Sequence, residues 1–159
     1  MPPPLLIDLD RVDPAQVVLT KAEIYERLPQ RYEFQVLGGV CLLDRERKQI
    51  AAFADVAADD WWARGHLPGR PLLPGVLMLE MAGQLSALIT SLSGGVKGFL
   101  GFGGVNDCRF RKAVSPPARL ILLCVVTEFR SRRVISKTQG VIDGQIVFEA
   151  EIIGVSMGE

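Results

Sequence analysis

The stretch Gly65-His66-Leu67-Pro68-Gly69-Arg70-Pro71-Leu72-Leu73-Pro74-Gly75-Val76-Leu77-Met78-Leu79-Glu80-Met81-Ala82-Gly83-Gln84-Leu85-Ser86-Ala87-Leu88-Ile89-Thr90-Ser91-Leu92 decides how the rest of the chain must be arranged. From Gly65 to Gly75 it holds three prolines and three glycines in eleven residues, a density that excludes a regular element. From Gly75 to about Leu92 it is apolar nearly all the way round. A helix of that kind is enclosed by other structure rather than laid on a surface. Gly94-Gly95 then stops it. Its apolar stretch, Val76 to Leu92, is interrupted by Glu80, Gly83 and Gln84. A charge at bilayer depth is expensive, so a buried helix is expected here and no membrane span.

Working outward, the flanks read mostly as strands. Downstream, Gly98 to Phe110, Leu120 to Val126, Val134 to Ile142 and Gln145 to Ile153 are β-rich. Asp143-Gly144 joins the last two as a two-residue hairpin turn, because both residues tolerate the positive φ of a type I′ turn. Upstream, Glu33 to Leu37, Val40 to Leu43 and Ile50 to Val56 are strand-like, with the charged run Asp44 to Lys48 as a solvated connection. Before them, Thr20 caps a short helix over Ala22 to Leu28, Glu23 completes a capping box, and Pro29 ends the helix. Residues 1–20 are Pro-rich and weakly patterned, an extended N-terminal arm, and residues 21–159 form a single domain without repeats. One enclosed helix against an antiparallel sheet is an α+β arrangement. A sheet that wraps such a helix is the hot-dog architecture.

Bulk properties exclude several function classes. At 159 residues, 48% hydrophobic and 23% charged, the chain is a globular domain large enough to close one core. Lys plus Arg equals Asp plus Glu at 18 each, so no global field draws it to nucleic acid or an anionic surface. Cys41, Cys108 and Cys124 are odd in number, far apart and without C-x-x-C spacing, which speaks against metal binding and disulfides and for a reducing compartment. The opening residues lack a basic n-region and reach Asp8 quickly, unlike a signal peptide. The expectation is a cytoplasmic protein.

Two residues in the deciding stretch have the means for chemistry. His66 is the one histidine of the chain and sits in a Gly/Pro-rich loop, the kind of segment that holds functional groups against a scaffold. An imidazole exchanges protons near neutral pH, although a solitary histidine is more often structural. Glu80 lies among Val76, Leu77, Met78, Leu79, Met81 and Ala82 on the enclosed helix. Either it faces solvent on a narrow polar stripe shared with Gln84, four residues on, or burial raises its pKa and makes it a general acid oriented by Gln84. Pro74-Gly75 either starts the helix in the ordinary way or presents free N–H groups to an electron-rich oxygen. Spacing leaves open whether His66 meets Glu80 of its own chain or of a neighbour.

Residues Gly65 to Gln84 resemble the signature G-H-F-P-G-x-P-x-x-P-G-V-L-x-x-E-x-x-A-Q of the FabZ/FabA 3-hydroxyacyl-acyl carrier protein dehydratases, with His66 and Glu80 on its two catalytic positions. Ile24 to Phe34 is similar to the family's opening I-x-x-x-L-P-H-R-Y-P-F, and Gly104 to Val114 to the segment after the helix. The resemblance implies a hot-dog fold and a homodimer with sites at its interface, as well as larger oligomers such as a trimer of dimers. It implies that His66 exchanges the C2 proton while Glu80 handles the C3 hydroxyl. The Gly75 N–H would polarise the thioester carbonyl, Gln84 would position Glu80, and the Leu72 carbonyl would orient the imidazole. It implies no metal or redox cofactor, with substrate arriving on the phosphopantetheine of acyl carrier protein.

Departures from the signature mark this chain. Gln30 stands for the family's histidine, a change read as one of packing rather than chemistry, and Leu67 stands for phenylalanine. Ser115 to Ala118 replaces the usual x-x-P-G-D turn, and Glu80 rather than Asp matches the branch that dehydrates without isomerising. A hot-dog thioesterase and a catalytically silent paralogue that binds acyl carrier protein are the competing readings.

Overall fold

The computed structural model describes residues 3–96 and 98–158; Met1 and Pro2 of the arm, Lys97 and Glu159 lie outside the described residues. Its regular elements are β1 (Leu19–Thr20), α1 (Lys21–Arg27), β2 (Gly39–Asp44), β3 (Gln49–Val56), α2 (Ala63–His66), α3 (Gly75–Leu92), β4 (Leu100–Phe110), β5 (Ala118–Phe129), β6 (Arg133–Ile142) and β7 (Gln145–Ser156). The strands form one seven-stranded antiparallel sheet in the order β1-β2-β3-β5-β6-β7-β4.

The sheet curls around α3, and period-two alternation decides what meets the helix. Ile50, Ala52, Ala54 and Val56 of β3, Leu120, Leu122 and Cys124 of β5, and Phe148, Ala150 and Ile152 of β7 all join the core built on Leu77, Met78, Met81, Leu85, Leu88 and Ile89. Leu85, Leu88 and Ile89 are fully buried. Each such side chain contributes roughly 1.5–3 kcal/mol by leaving water. By length and composition α3 passes for a membrane span, but it lies inside the sheet as a core helix.

The opposite face of the sheet is covered too, and the arm covers it. Ile7 packs with Cys41, Ala51, Leu123, Val141 and Ile146, supported by Leu6, Leu9 and Val12. Gln139 clamps this arm, its Oε1 accepting from Leu6 N at 2.9 Å and its Nε2 donating to Pro4 O at 2.9 Å. Burial on both faces explains why Ile50-Ala51-Ala52 reads as a continuous apolar run.

Local chemistry sets the ends of the elements. Thr20 Oγ1 accepts from Glu23 N at 3.3 Å while Glu23 Oε1 accepts from Thr20 N at 3.2 Å, a complete capping box for α1. Asp143 and Gly144 have φ of 50° and 77°, as the β6–β7 hairpin requires. Gly95 N–H reaches back to Thr90 O to close α3.

Two expectations are corrected. Residues 33–37 are not a strand: Tyr32–Phe34 makes a 3-10 turn, with Tyr32 at φ 55°, and the chain reaches the sheet at Gly39. Side chains bind that segment instead, as described below. The Gly/Pro-rich segment also opens with regular structure, because Gly65 and His66 complete the single turn of α2, where His66 N–H donates to Trp62 O at 3.0 Å.

Candidate active site

Glu80 and Gln84 lie one turn apart on the same face of α3, and neither points freely into solvent. Gln84 is 1% exposed and Glu80 half-buried, so the solvated polar stripe is not what forms. Gln84 Nε2 donates to Phe34 O at 2.8 Å and faces Glu80 Oε2 at 3.4 Å. Its Oε1 accepts from the Tyr25 hydroxyl at 2.6 Å. The same hydroxyl accepts from Leu37 N at 2.9 Å. The loop misread as a strand is thus fastened to α1 and α3 by one tyrosine and one glutamine.

Burial pushes the Glu80 carboxyl above its ordinary value, and the Gln84 hydrogen bond offsets part of that rise. Burial also pushes the Tyr25 phenol up to about 12, aided by the nearby Glu80 charge and opposed by the Leu37 N–H, so Tyr25 stays a neutral donor. Glu80 opens on a cavity of about 170 Å³ that it shares with Gln30, Gly83, Gln84 and Phe102. Gln30 Oε1 is buried without a hydrogen-bond partner in the protein. Gln30, at the position where the family signature has histidine, is thus part of the lining of the Glu80 cavity.

His66 ends α2 on an exposed loop that backbone contacts hold in shape. Arg70 N–H donates to Leu67 O at 2.9 Å, and Leu73 N–H to Val114 O at 2.9 Å. His66 Nδ1 lies 3.0 Å from Leu72 O. A carbonyl oxygen only accepts, so Nδ1 is the donor in this contact, and in the neutral tautomer this selects the lone pair lies on Nε2. Gly75 is the first residue of α3, where the helix supplies no acceptor for its N–H and no side chain caps it. The Phe110 ring lies against this backbone: a Cβ at Gly75 would come within 2.9 Å of it. Phe102 closes on Gly83 in the same way, at 2.7 Å.

The site thus falls into two parts within one chain. Glu80, Gln84 and Tyr25 form one network; His66 and Leu72 form another. No hydrogen bond or ion pair joins His66 to Glu80. Tyr25 and Phe34 are members that the sequence reading missed, since the Tyr25 partner lies 59 residues away and the other is a backbone carbonyl.

An antiparallel sheet wrapped around one long helix, with this pair of polar networks at the helix start, defines a hot-dog protein. The FabA-like domain family model matches residues 28–151, and the chain belongs to that family. It is 35% identical over 132 residues to 3-hydroxyacyl-[acyl-carrier-protein] dehydratase FabZ of Listeria welshimeri, covering 82% of this chain and 91% of that one. The FabZ of Bacillus licheniformis is 35% identical over 145 residues, covering 89% and 98%. Among solved structures, the dehydratase heterocomplex ApeI:P from Xenorhabdus doucetiae matches with a TM-score of 0.72 at 13% identity, over 86% of this chain and 91% of that one. A phenylacetic acid degradation-related protein from Ralstonia eutropha, provisionally a thioesterase, matches at 0.60 and 11% identity, over 73% and 82%. These two likenesses concern the fold.

Proposed function

We propose that this chain is a hydro-lyase that converts 3-hydroxyacyl thioesters on acyl carrier protein to trans-2-enoyl thioesters and water, in cytoplasmic fatty acid synthesis. The observation that carries the reading is the presence of two unlike proton carriers: Glu80, whose carboxyl pKa burial raises, and His66, whose Nδ1 is engaged by the Leu72 carbonyl and leaves Nε2 for the substrate. Relatives named as FabZ dehydratases, matched over nearly their whole length, support it.

In this reading His66 Nε2 takes the proton from C2, and the C2–H electron pair moves toward the thioester carbonyl. The Gly75 N–H stabilises the negative charge that develops on that oxygen. The electrons return to form the C2=C3 bond as the C3–O bond breaks, and Glu80 delivers its proton to the departing hydroxyl, giving water. Gln84 N–H steadies the carboxylate left behind, and the Leu72 carbonyl keeps His66 in the tautomer that can act as base. No metal or redox group is needed for these steps; the phosphopantetheine comes with the substrate.

His66 and Glu80 are assigned to opposite subunits of a homodimer. In support, no hydrogen bond or ion pair joins the two within the chain, and β4 is an 11-residue edge strand paired on one side only, to β7. It exposes Phe102 and Phe110, apolar rings beside Gly83 and Gly75. An edge so long and apolar calls for a partner strand, and a second copy placed there would sit against the start of α3.

The test uses a 3-hydroxyacyl thioester followed at once by ultraviolet absorbance and by a thiol reagent. Growth of conjugated-enoyl absorbance with no thiol is the expected result. Release of thiol without enoyl product would make the protein a thioesterase, and neither signal a binding paralogue; either overturns the proposal.

A further inference from the structure

We propose that Tyr25 is a positioning residue for Glu80: its hydroxyl locks the Gln84 side-chain amide so that Nε2, not Oε1, is presented to the carboxyl group. This inference rests on the reading of Glu80 as the general acid.

The lock follows from hydrogen-bond arithmetic. A phenol has one proton to give. Leu37 N–H occupies an acceptor position on the Tyr25 oxygen at 2.9 Å, and the phenol proton goes to Gln84 Oε1 at 2.6 Å. With Oε1 committed, the two Nε2 hydrogens turn the other way, one to Phe34 O at 2.8 Å and one toward Glu80 Oε2 at 3.4 Å. A free glutamine amide can rotate and offer oxygen to a carboxyl group as readily as nitrogen. Buried here at 1% exposure, it cannot do so without leaving groups unpaired.

The consequence for chemistry is directional. As Glu80 gives up its proton, charge develops on a half-buried carboxylate, and a fixed N–H aimed at it stabilises that charge more than the neutral acid. The Gln84 contact lowers the Glu80 pKa against burial, which agrees with this role. Among the described residues lining the Glu80 cavity, no other side chain is ionisable, and the Glu80 charge in turn helps to raise the Tyr25 pKa. Tyr25 also ties down residues 34–37, so the same hydroxyl holds the loop whose carbonyl shares Gln84.

The test follows the Glu80 side-chain carboxyl carbon by NMR in the full-length protein, identified by its disappearance in Glu80→Gln, together with kcat and KM for a 3-hydroxybutyryl pantetheine thioester. In Tyr25→Phe the Glu80 titration midpoint moves to higher pH, and kcat falls roughly tenfold to a hundredfold with little change in KM. In a Gln84→Met background, adding Tyr25→Phe has no further effect on either quantity, because the residue acts through Gln84. An unmoved midpoint, or an effect that persists in full without Gln84, overturns the proposal. Should Tyr25→Phe fail to fold, 3-fluorotyrosine at position 25 keeps the hydroxyl and strengthens its donation; the midpoint must then move down, and no movement overturns the proposal. Loss of turnover in Glu80→Gln beside an unaffected Tyr25→Phe would overturn this inference alone. Full turnover in Glu80→Gln would overturn the dehydratase assignment of Glu80, and this inference with it.

Discussion

His66 Nδ1 donates to the Leu72 carbonyl across 3.0 Å, and that single contact decides which imidazole nitrogen is available as a base. The carbonyl comes from the loop that leads into α3, so the geometry that starts the helix also sets the tautomer.

The first prediction concerns the two proton carriers. His66→Ala and Glu80→Gln should each lower kcat by a factor on the order of a thousand while leaving fold and assembly intact. Groups that act as a unit are non-additive, so the double variant should be little worse than either single one. Steady-state kinetics with circular dichroism of the same samples check this. Near-normal turnover in either single variant would remove that residue from the mechanism.

The second concerns stability against pH. The folded-state pKa of Glu80 is raised above its unfolded value by burial, so the unfolded chain gives up this proton more easily. Stability is then unpenalised below the unfolded pKa near 4.5 and declines as pH rises through the window up to the folded value. Glu80→Gln removes that penalty. The variant should melt at a higher temperature than the parent at pH 8, with the gap closing toward pH 4. A gap that widens on acidification would mean that the carboxylate is the form the fold prefers.

The third concerns the carrier. Arg64, Arg70, Arg109, Arg111 and Lys112 cluster around the site in sequence, but the structure separates them. Arg111 is tied to Glu149 at 2.6 Å and Lys112 donates to Gln145, whereas Arg64, Arg70 and Arg109 are exposed. If an acidic carrier docks electrostatically, Arg109→Glu should raise KM for acyl carrier protein substrates by about threefold to tenfold. It should leave KM for a short pantetheine thioester unchanged. An equal effect on both substrates would count against docking at Arg109.

What the sequence discloses here depends on how far away the deciding partner lies. The central helix was legible because Gly75 to Leu92 is apolar on all sides, a property of the segment itself. The Asp143-Gly144 turn and the Thr20 capping box are equally local. Glu33 to Leu37 departs from its strand-like pattern for the opposite reason. Its alternation suits a strand, but its backbone is satisfied by Tyr25 and Gln84, 12 and 50 residues away. The sequence of the arm does not reveal where it lies, because its burial depends on Ile7 meeting Ala51, Leu123 and Val141 across the sheet. In the site, His66 and Glu80 stand out by type and motif. Tyr25 does not, since nothing in α1 reveals that its hydroxyl meets Gln84.

The last prediction concerns subunit sharing. His66 and Glu80 share no hydrogen bond or ion pair within one chain, and edge strand β4 sets Phe110 against Gly75 at the start of α3 and Phe102 against Gly83 further along it. If the two residues meet across a dimer interface, each site needs both chains. Mixing inactive His66→Ala protein with inactive Glu80→Gln protein, under conditions that exchange subunits, should then restore turnover. A mixed dimer would hold one site with both residues intact and one with neither. Half of randomly exchanged dimers are mixed and each has one working site of two, so recovery should approach about a quarter of the parent activity per chain. A pair working within a single chain would give no recovery, because every chain in the mixture lacks one residue. Without exchange both arrangements stay silent, so native mass spectrometry must first record mixed dimers. Mixed dimers without turnover would place His66 and Glu80 of one site on one chain, and the β4 edge would then need a role apart from catalysis.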